Sequence, residues 1–199
     1  MIFIHSQQKI LEKASSSSRT TTAPIQGWVP PMMNYFKINV GASFVSTDHC
    51  IGIGFLLRNN TGSFRGAKCL QHRSYSSEEA EGLALFEALK WSQEPNISGV
   101  ILETDAQAIV HYIQGKEVNI DWRCKSILED CKLLISNSTS IVINYVPRTA
   151  NRAADCLAKA ARLSAYPFSV LCEAPSFMFD ILNMDSNFDV SEALPPIVI

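Results

Sequence analysis

From Phe36 onward the chain alternates, with Ile38, Val40, Ala42 and Phe44 on one side and Lys37, Asn39, Gly41 and Ser43 on the other. That period of two predicts a strand. A second strand, Ile51 to Arg58, leads through Asn59-Asn60-Thr61-Gly62 into a third, from Ser63 to about Gln71. Asn and Gly tolerate positive φ, so the connection reads as a tight turn in an antiparallel meander. The period then lengthens. Ser76 and Glu79 have the spacing of a capping box, and a helix should run from there to about Gln93, before Pro95 forbids continuation. The apolar run from Gly99 to Thr104 predicts a fourth strand, Ala106 to about Gln114 a short helix stopped by Gly115, and Asp121 to about Ser136 another helix. A fifth strand, Ser140 to Val146, ends at Pro147, and a last helix spans Asn151 to about Leu163. The order βββαβααβα implies an α/β fold with a mixed five-stranded sheet and helices on both faces.

The remaining stretches are aperiodic. Residues 1–35 read as a linker or disordered leader ending in Trp28-Val29-Pro30-Pro31, residues 36–163 as the domain, and residues 164–199 as an acidic, largely irregular tail. The formal charge of −2 conceals this division. Residues 36–163 hold 14 Lys+Arg against 13 Asp+Glu, whereas residues 164–199 hold five acids and no base. A strongly basic nucleic-acid footprint is therefore absent, and polyanion binding would need a local patch or bound cations. Six cysteines without a CxxC pair or zinc-finger histidines read as reduced thiols of an intracellular protein, nuclear or cytoplasmic. No run is long enough to span a membrane, and the acid-free Ser/Thr-rich stretch at 14–23 is weakly compatible with organellar targeting. Trp91 and Trp122 read as core residues, and His49, His72 and His111 have no metal spacing.

Three acids interrupt otherwise apolar surroundings. Glu81 heads a helical stripe completed by Ala84, Leu85 and Ala88; Asp105 closes the fourth strand; Asp155 lies among the inward positions Ala154, Leu157, Ala158 and Ala161. Each has an ordinary explanation: Asp105 as a helix cap, Asp155 at the favourable end of its helix, Glu81 as a rim acid. Together they could converge at one sheet edge, where a carboxylate cluster suits hard divalent cations such as Mg²⁺. Two such ions about 4 Å apart can activate water and stabilise a leaving phosphate oxygen.

KINVGASF, SEEAEGLALFEALKW, VILETDAQAIV and VPRTANRAADCLAKAA, in that order and spacing, resemble the ribonuclease H type 1 domain. More narrowly, they resemble the short plant version found at the end of retrotransposon reverse transcriptases and in free-standing plant proteins. The resemblance covers about Phe36 to Leu163. It implies a ribonuclease H-like sheet and four acids holding two Mg²⁺ ions that hydrolyse the RNA strand of an RNA–DNA hybrid. Glu81, Asp105 and Asp155 match three of those acids as catalytic and metal-binding residues.

The fourth is missing. Gly41 stands where the family carries a first-strand Asp, and Asn39 and Ser43 on the same face lie roughly 6–7 Å away along the strand. The segment from Pro147 to Asp155 also lacks the histidine that serves some members as a general acid. Arg148, Asn151 and Arg152 flank the start of the last helix and are the candidate nucleic-acid contacts. Three readings follow: a nucleic-acid-binding domain with impaired hydrolysis and weakened Mg²⁺ binding, an active hybrid ribonuclease using the remaining acids, or a non-catalytic protein-interaction module.

Overall fold

The computed structural model describes residues 27–93, 99–138 and 140–186. Its element order is β1 (Phe36–Ser43), β2 (Ile51–Arg58), β3 (Phe64–His72), α1 (Ser77–Ser92), β4 (Val100–Thr104), α2 (Gln107–Ile113), α3 (Trp122–Ser136), β5 (Ile141–Tyr145), α4 (Arg148–Arg162), β6 (Phe168–Leu171), a 3-10 turn (Ser176–Met178) and α5 (Phe179–Ser186).

The strands form one mixed sheet ordered β5-β4-β1-β2-β3-β6. β1, β2 and β3 are the antiparallel meander, while β4 runs parallel to β1 and β5 parallel to β4. The sheet thus has six strands rather than the expected five. The sixth comes from the acidic segment after the last predicted helix, where β6 pairs antiparallel with the free edge of β3. Phe-Ser-Val-Leu is too short to show its period in sequence, and the β3 edge supplies the missing hydrogen-bond partners.

Every residue of β2 is buried, because helices cover both faces of the strand. Ile51, Ile53 and Phe55 pack with Ala84, Leu85, Ala88 and Leu89 of α1 and with Leu128 of α3. Leu56, of opposite pleat parity, joins Ala67, Cys69 and the Ala153, Ala154, Leu157 and Ala161 stripe of α4. Helix α4 lies so close that a Cβ on Gly52 would stand 2.0 Å from the Ala158 carbonyl oxygen, and one on Gly54 2.3 Å from the Ala158 nitrogen. The two glycines and the alanine stripe together set that approach.

Local signals mostly behave as the sequence suggests. The Ser76 side chain accepts from the Glu79 N–H at 3.1 Å, and Glu79 Oε2 accepts from the Tyr75 N–H at 2.6 Å, one residue before the cap. Gly62 and Gly115 take positive φ at the hairpin and at the end of α2. Three expectations fail. Helix α4 begins at Arg148, directly after Pro147, rather than at Asn151. Trp122 is 68% exposed instead of buried: Cys124, Leu128 and Cys131 define the inward face of α3, and Trp122 lies about 200° around the helix from Cys124. Trp28, in the stretch read as linker, is 1% exposed and belongs to the packed interior. All six cysteines are free, and no helix among the described residues is long and apolar enough to cross a membrane.

Candidate active site

β1 and β4 are adjacent and parallel, so the residue just beyond β4 emerges at the same end of the sheet as Gly41. That residue is Asp105. Helix α4 crosses the opposite face of β1 from α1 and brings Asp155 to this end, where a Cβ on Gly41 would lie 3.0 Å from Asp155 Oδ1. Helix α1 contributes Glu81 to the same corner.

The charges show how near the three acids are. Burial pushes the Glu81 carboxyl up to about 8, with Asp105 and Asp155 adding to the rise, while a hydrogen bond from the Ala42 backbone and the Arg148 charge oppose it. Burial likewise raises Asp155 to about 6, with Asp105 pushing the same way and Arg148 against. Glu81 Oε2 is sealed from solvent and has no hydrogen-bond partner. Near neutral pH Glu81 is therefore largely protonated, as expected of a buried carboxyl beside other carboxylates.

Asp105 is the best-supported acid. Its Oδ1 accepts from Asn151 Nδ2 at 2.9 Å and its Oδ2 from Arg148 Nε at 3.2 Å. It does not cap α2, whose N-cap residue is Ala106 and makes no side-chain cap bond, so the ordinary helix-cap reading fails. Arg148, with its side chain 84% exposed, leans over the corner from the first turn of α4. Asn151 is fully buried and also donates to the Val40 carbonyl at 2.8 Å. It therefore serves Asp105 from inside the protein instead of facing solvent. Arg152 is exposed, and its Nη1 meets Met184 Sδ of α5 at 3.9 Å.

The corner does not fit the two Mg²⁺ ions that the resemblance implies. The acids sense one another's charge, yet among the described residues no three His, Cys, Asp or Glu side chains are gathered closely enough to hold an ion. Gly41 offers no bridging carboxylate, Arg148 occupies one oxygen of Asp105, and Glu81 holds its proton. An incoming cation would have to displace that proton and that guanidinium.

A buried polar cluster beside the corner was not visible in the sequence. Arg58 is 1% exposed and stacks 3.4 Å from the Trp28 ring centre; Asn39 and Glu103 are buried with it. Trp28 Nε1 donates to Glu103 Oε2 at 3.0 Å, and Lys37 pairs with the other oxygen of Glu103. A single Arg closing the apolar run IGIGFLLR before a turn looks like an ordinary surface charge. Only its long-range partners show otherwise.

Residues 39–161 match the reverse transcriptase-like protein family. Over 160 residues the chain is 26% identical to the "Putative ribonuclease H protein" of Arabidopsis thaliana, covering 80% of this chain but only 26% of that much longer protein. Ribonuclease H1 of Halobacterium salinarum shares the fold at 20% identity with a TM-score of 0.60, covering 66% of this chain and 98% of its own. The LC11 ribonuclease H1 solved with an RNA/DNA hybrid matches at 19% identity and a TM-score of 0.58, over 65% and 98% of the two chains. With its meander, its parallel β1-β4-β5 half and its acids at one sheet edge, the chain belongs to the reverse transcriptase-like family and has the ribonuclease H fold.

Proposed function

We propose that this chain binds RNA–DNA hybrid at the Glu81, Asp105 and Asp155 corner and hydrolyses it poorly or not at all. The observation that carries this reading is Gly41: at the strand position facing Asp155 there is backbone and no carboxylate. Family membership and the ribonuclease H fold support the choice of ligand. Hydrolysis in the family draws on divalent cations that activate water and neutralise charge on the leaving oxygen. Here Arg148 supplies the positive charge at the corner, with its side chain free to turn from Asp105 toward a phosphate. Asn151 holds Asp105 from behind, and Arg152 extends the basic edge along α4.

The test is a labelled RNA–DNA hybrid incubated with the purified protein in Mg²⁺ or Mn²⁺. Binding at low salt with little cutting is expected; robust cutting that disappears in Asp105→Asn overturns the inactive reading. That outcome would favour hydrolysis by the remaining acids, with an incoming cation displacing the Glu81 proton. Absence of binding at low salt, where phosphate contacts are strongest, would leave a protein-interaction module.

A further inference from the structure

Arg58 is buried with its Nε left without a hydrogen-bond partner, so the guanidinium depends on the two bonds that its Nη atoms make to offset the cost of leaving water. Its Nη1 donates to Asp185 Oδ2 of α5 at 2.7 Å and its Nη2 to Asn39 Oδ1 of β1 at 2.7 Å. Neither Trp28 nor Asp185 falls within residues 39–161, so this guanidinium is clamped by segments on either side of the family match.

The consequence for the corner comes from hydrogen-bond direction. A guanidinium has donors and no acceptor, so it dictates that Asn39 presents its oxygen to Arg58. The Asn39 NH₂ group must then point the other way, and it donates to Glu103 Oε2 at 3.0 Å and to Asn151 Oδ1 at 3.4 Å. With its oxygen taken, Asn151 turns its own NH₂ group to Asp105 Oδ1. Reversal of either amide would set an oxygen against a carboxylate. Glu103 and the Val40 carbonyl reinforce the same orientation from the side.

We propose that Arg58 is a positioning residue for Asp105, and that α5, by holding Arg58 through Asp185, sets the orientation of the Asn39 and Asn151 amides. Helix α5 thereby bears on the corner through Arg58 and the two amides. This inference does not depend on the activity proposed above.

The measurement needs neither nucleic acid nor metal. In the full-length ¹⁵N-labelled protein, the side-chain amide signals of Asn39 and Asn151 report orientation and solvent exchange directly. Asp185→Asn removes the charge while keeping the side-chain shape, and Arg58→Lys replaces the fork with a single nitrogen that cannot span Asp185 and Asn39. In either variant the Asn151 NH₂ signals should shift and exchange with solvent about tenfold faster. Met184→Ala, the exposed neighbour on the same helix, should leave them unchanged. Wild-type Asn151 signals in folded Asp185→Asn would overturn the proposal, as would an equal response to Met184→Ala. Should Asp185→Asn fail to fold, Arg58→Lys carries the same comparison.

Discussion

Gly41 of β1 lies directly against Asp155 of α4: a Cβ on the glycine would stand 3.0 Å from Asp155 Oδ1 and 3.2 Å from the Asp155 backbone nitrogen. The strand position where the family resemblance calls for an acid is thus both vacant and tight. Gly41→Asp requires α4 to give by a few tenths of an ångström and adds a carboxylate beside two others. In metal-free buffer the variant should lose about 1–2 kcal/mol of stability. Adding Mn²⁺ or Mg²⁺ should recover it, since a cation that binds only the folded corner stabilises it. Melting curves with and without the ion, together with hybrid cleavage, check this; an unchanged response to metal would show that Gly41 is not the missing ligand position.

Glu81 titrates at about 8 in the folded chain against an ordinary 4.5, so between those values the native state retains a proton that the unfolded state has lost. Stability from this group is complete below pH 4.5 and falls as the pH rises toward 8. Asp155, raised from 3.8 to about 6, adds a smaller loss of the same sign at lower pH. Glu81→Gln should flatten the upper part of this decline and make the protein more stable at about pH 8 by about 2 kcal/mol. Denaturant titrations in EDTA across that range measure it.

Gly52 and Gly54 admit the backbone of α4, and any Cβ there would fall within 2.0 to 2.3 Å of it. Neither close contact is with a flexible side-chain tip, so repacking cannot relieve it. Gly54→Ala should cost about 3 kcal/mol or more, measured by urea unfolding, because α4 must lift off β2. Gly115→Ala is a useful contrast, since its Cβ would meet nothing within 4 Å and only its positive φ opposes the change. It should cost about 1 kcal/mol.

Arg148 is exposed and poised over Asp105, whereas Arg152 lies a turn further along α4 against Met184. If Arg148 contacts a phosphate, Arg148→Ala should weaken hybrid binding across sequences and reduce the slope of log K against log salt by about 1. Fluorescence anisotropy over a salt series checks this. An unchanged slope would reassign Arg148 to holding Asp105 alone.

Local chemistry is what the linear chain discloses, because its partners are close along the backbone. The Ser76 cap, the Gly62 and Gly115 turns, the alternation of β1 and the acids set in apolar company at Glu81, Asp105 and Asp155 are all readable from neighbouring residues. The order of helices and strands then suffices to group those acids at one end of the sheet. What folding alone settles are contacts whose members lie far apart in the chain: Trp28 on Arg58, Arg58 on Asp185 across 127 residues, Asn151 on Asp105, and the six-stranded width of the sheet. A buried arginine and a surface arginine are the same letter, and burial is a property of whatever closes over the side chain. For the same reason Trp28 and Trp122 exchange the places their sequence context suggests, and Asn151 faces inward to a carboxylate. Hydrophobic period selects the elements; directional, desolvated contacts between distant segments select how the corner is held.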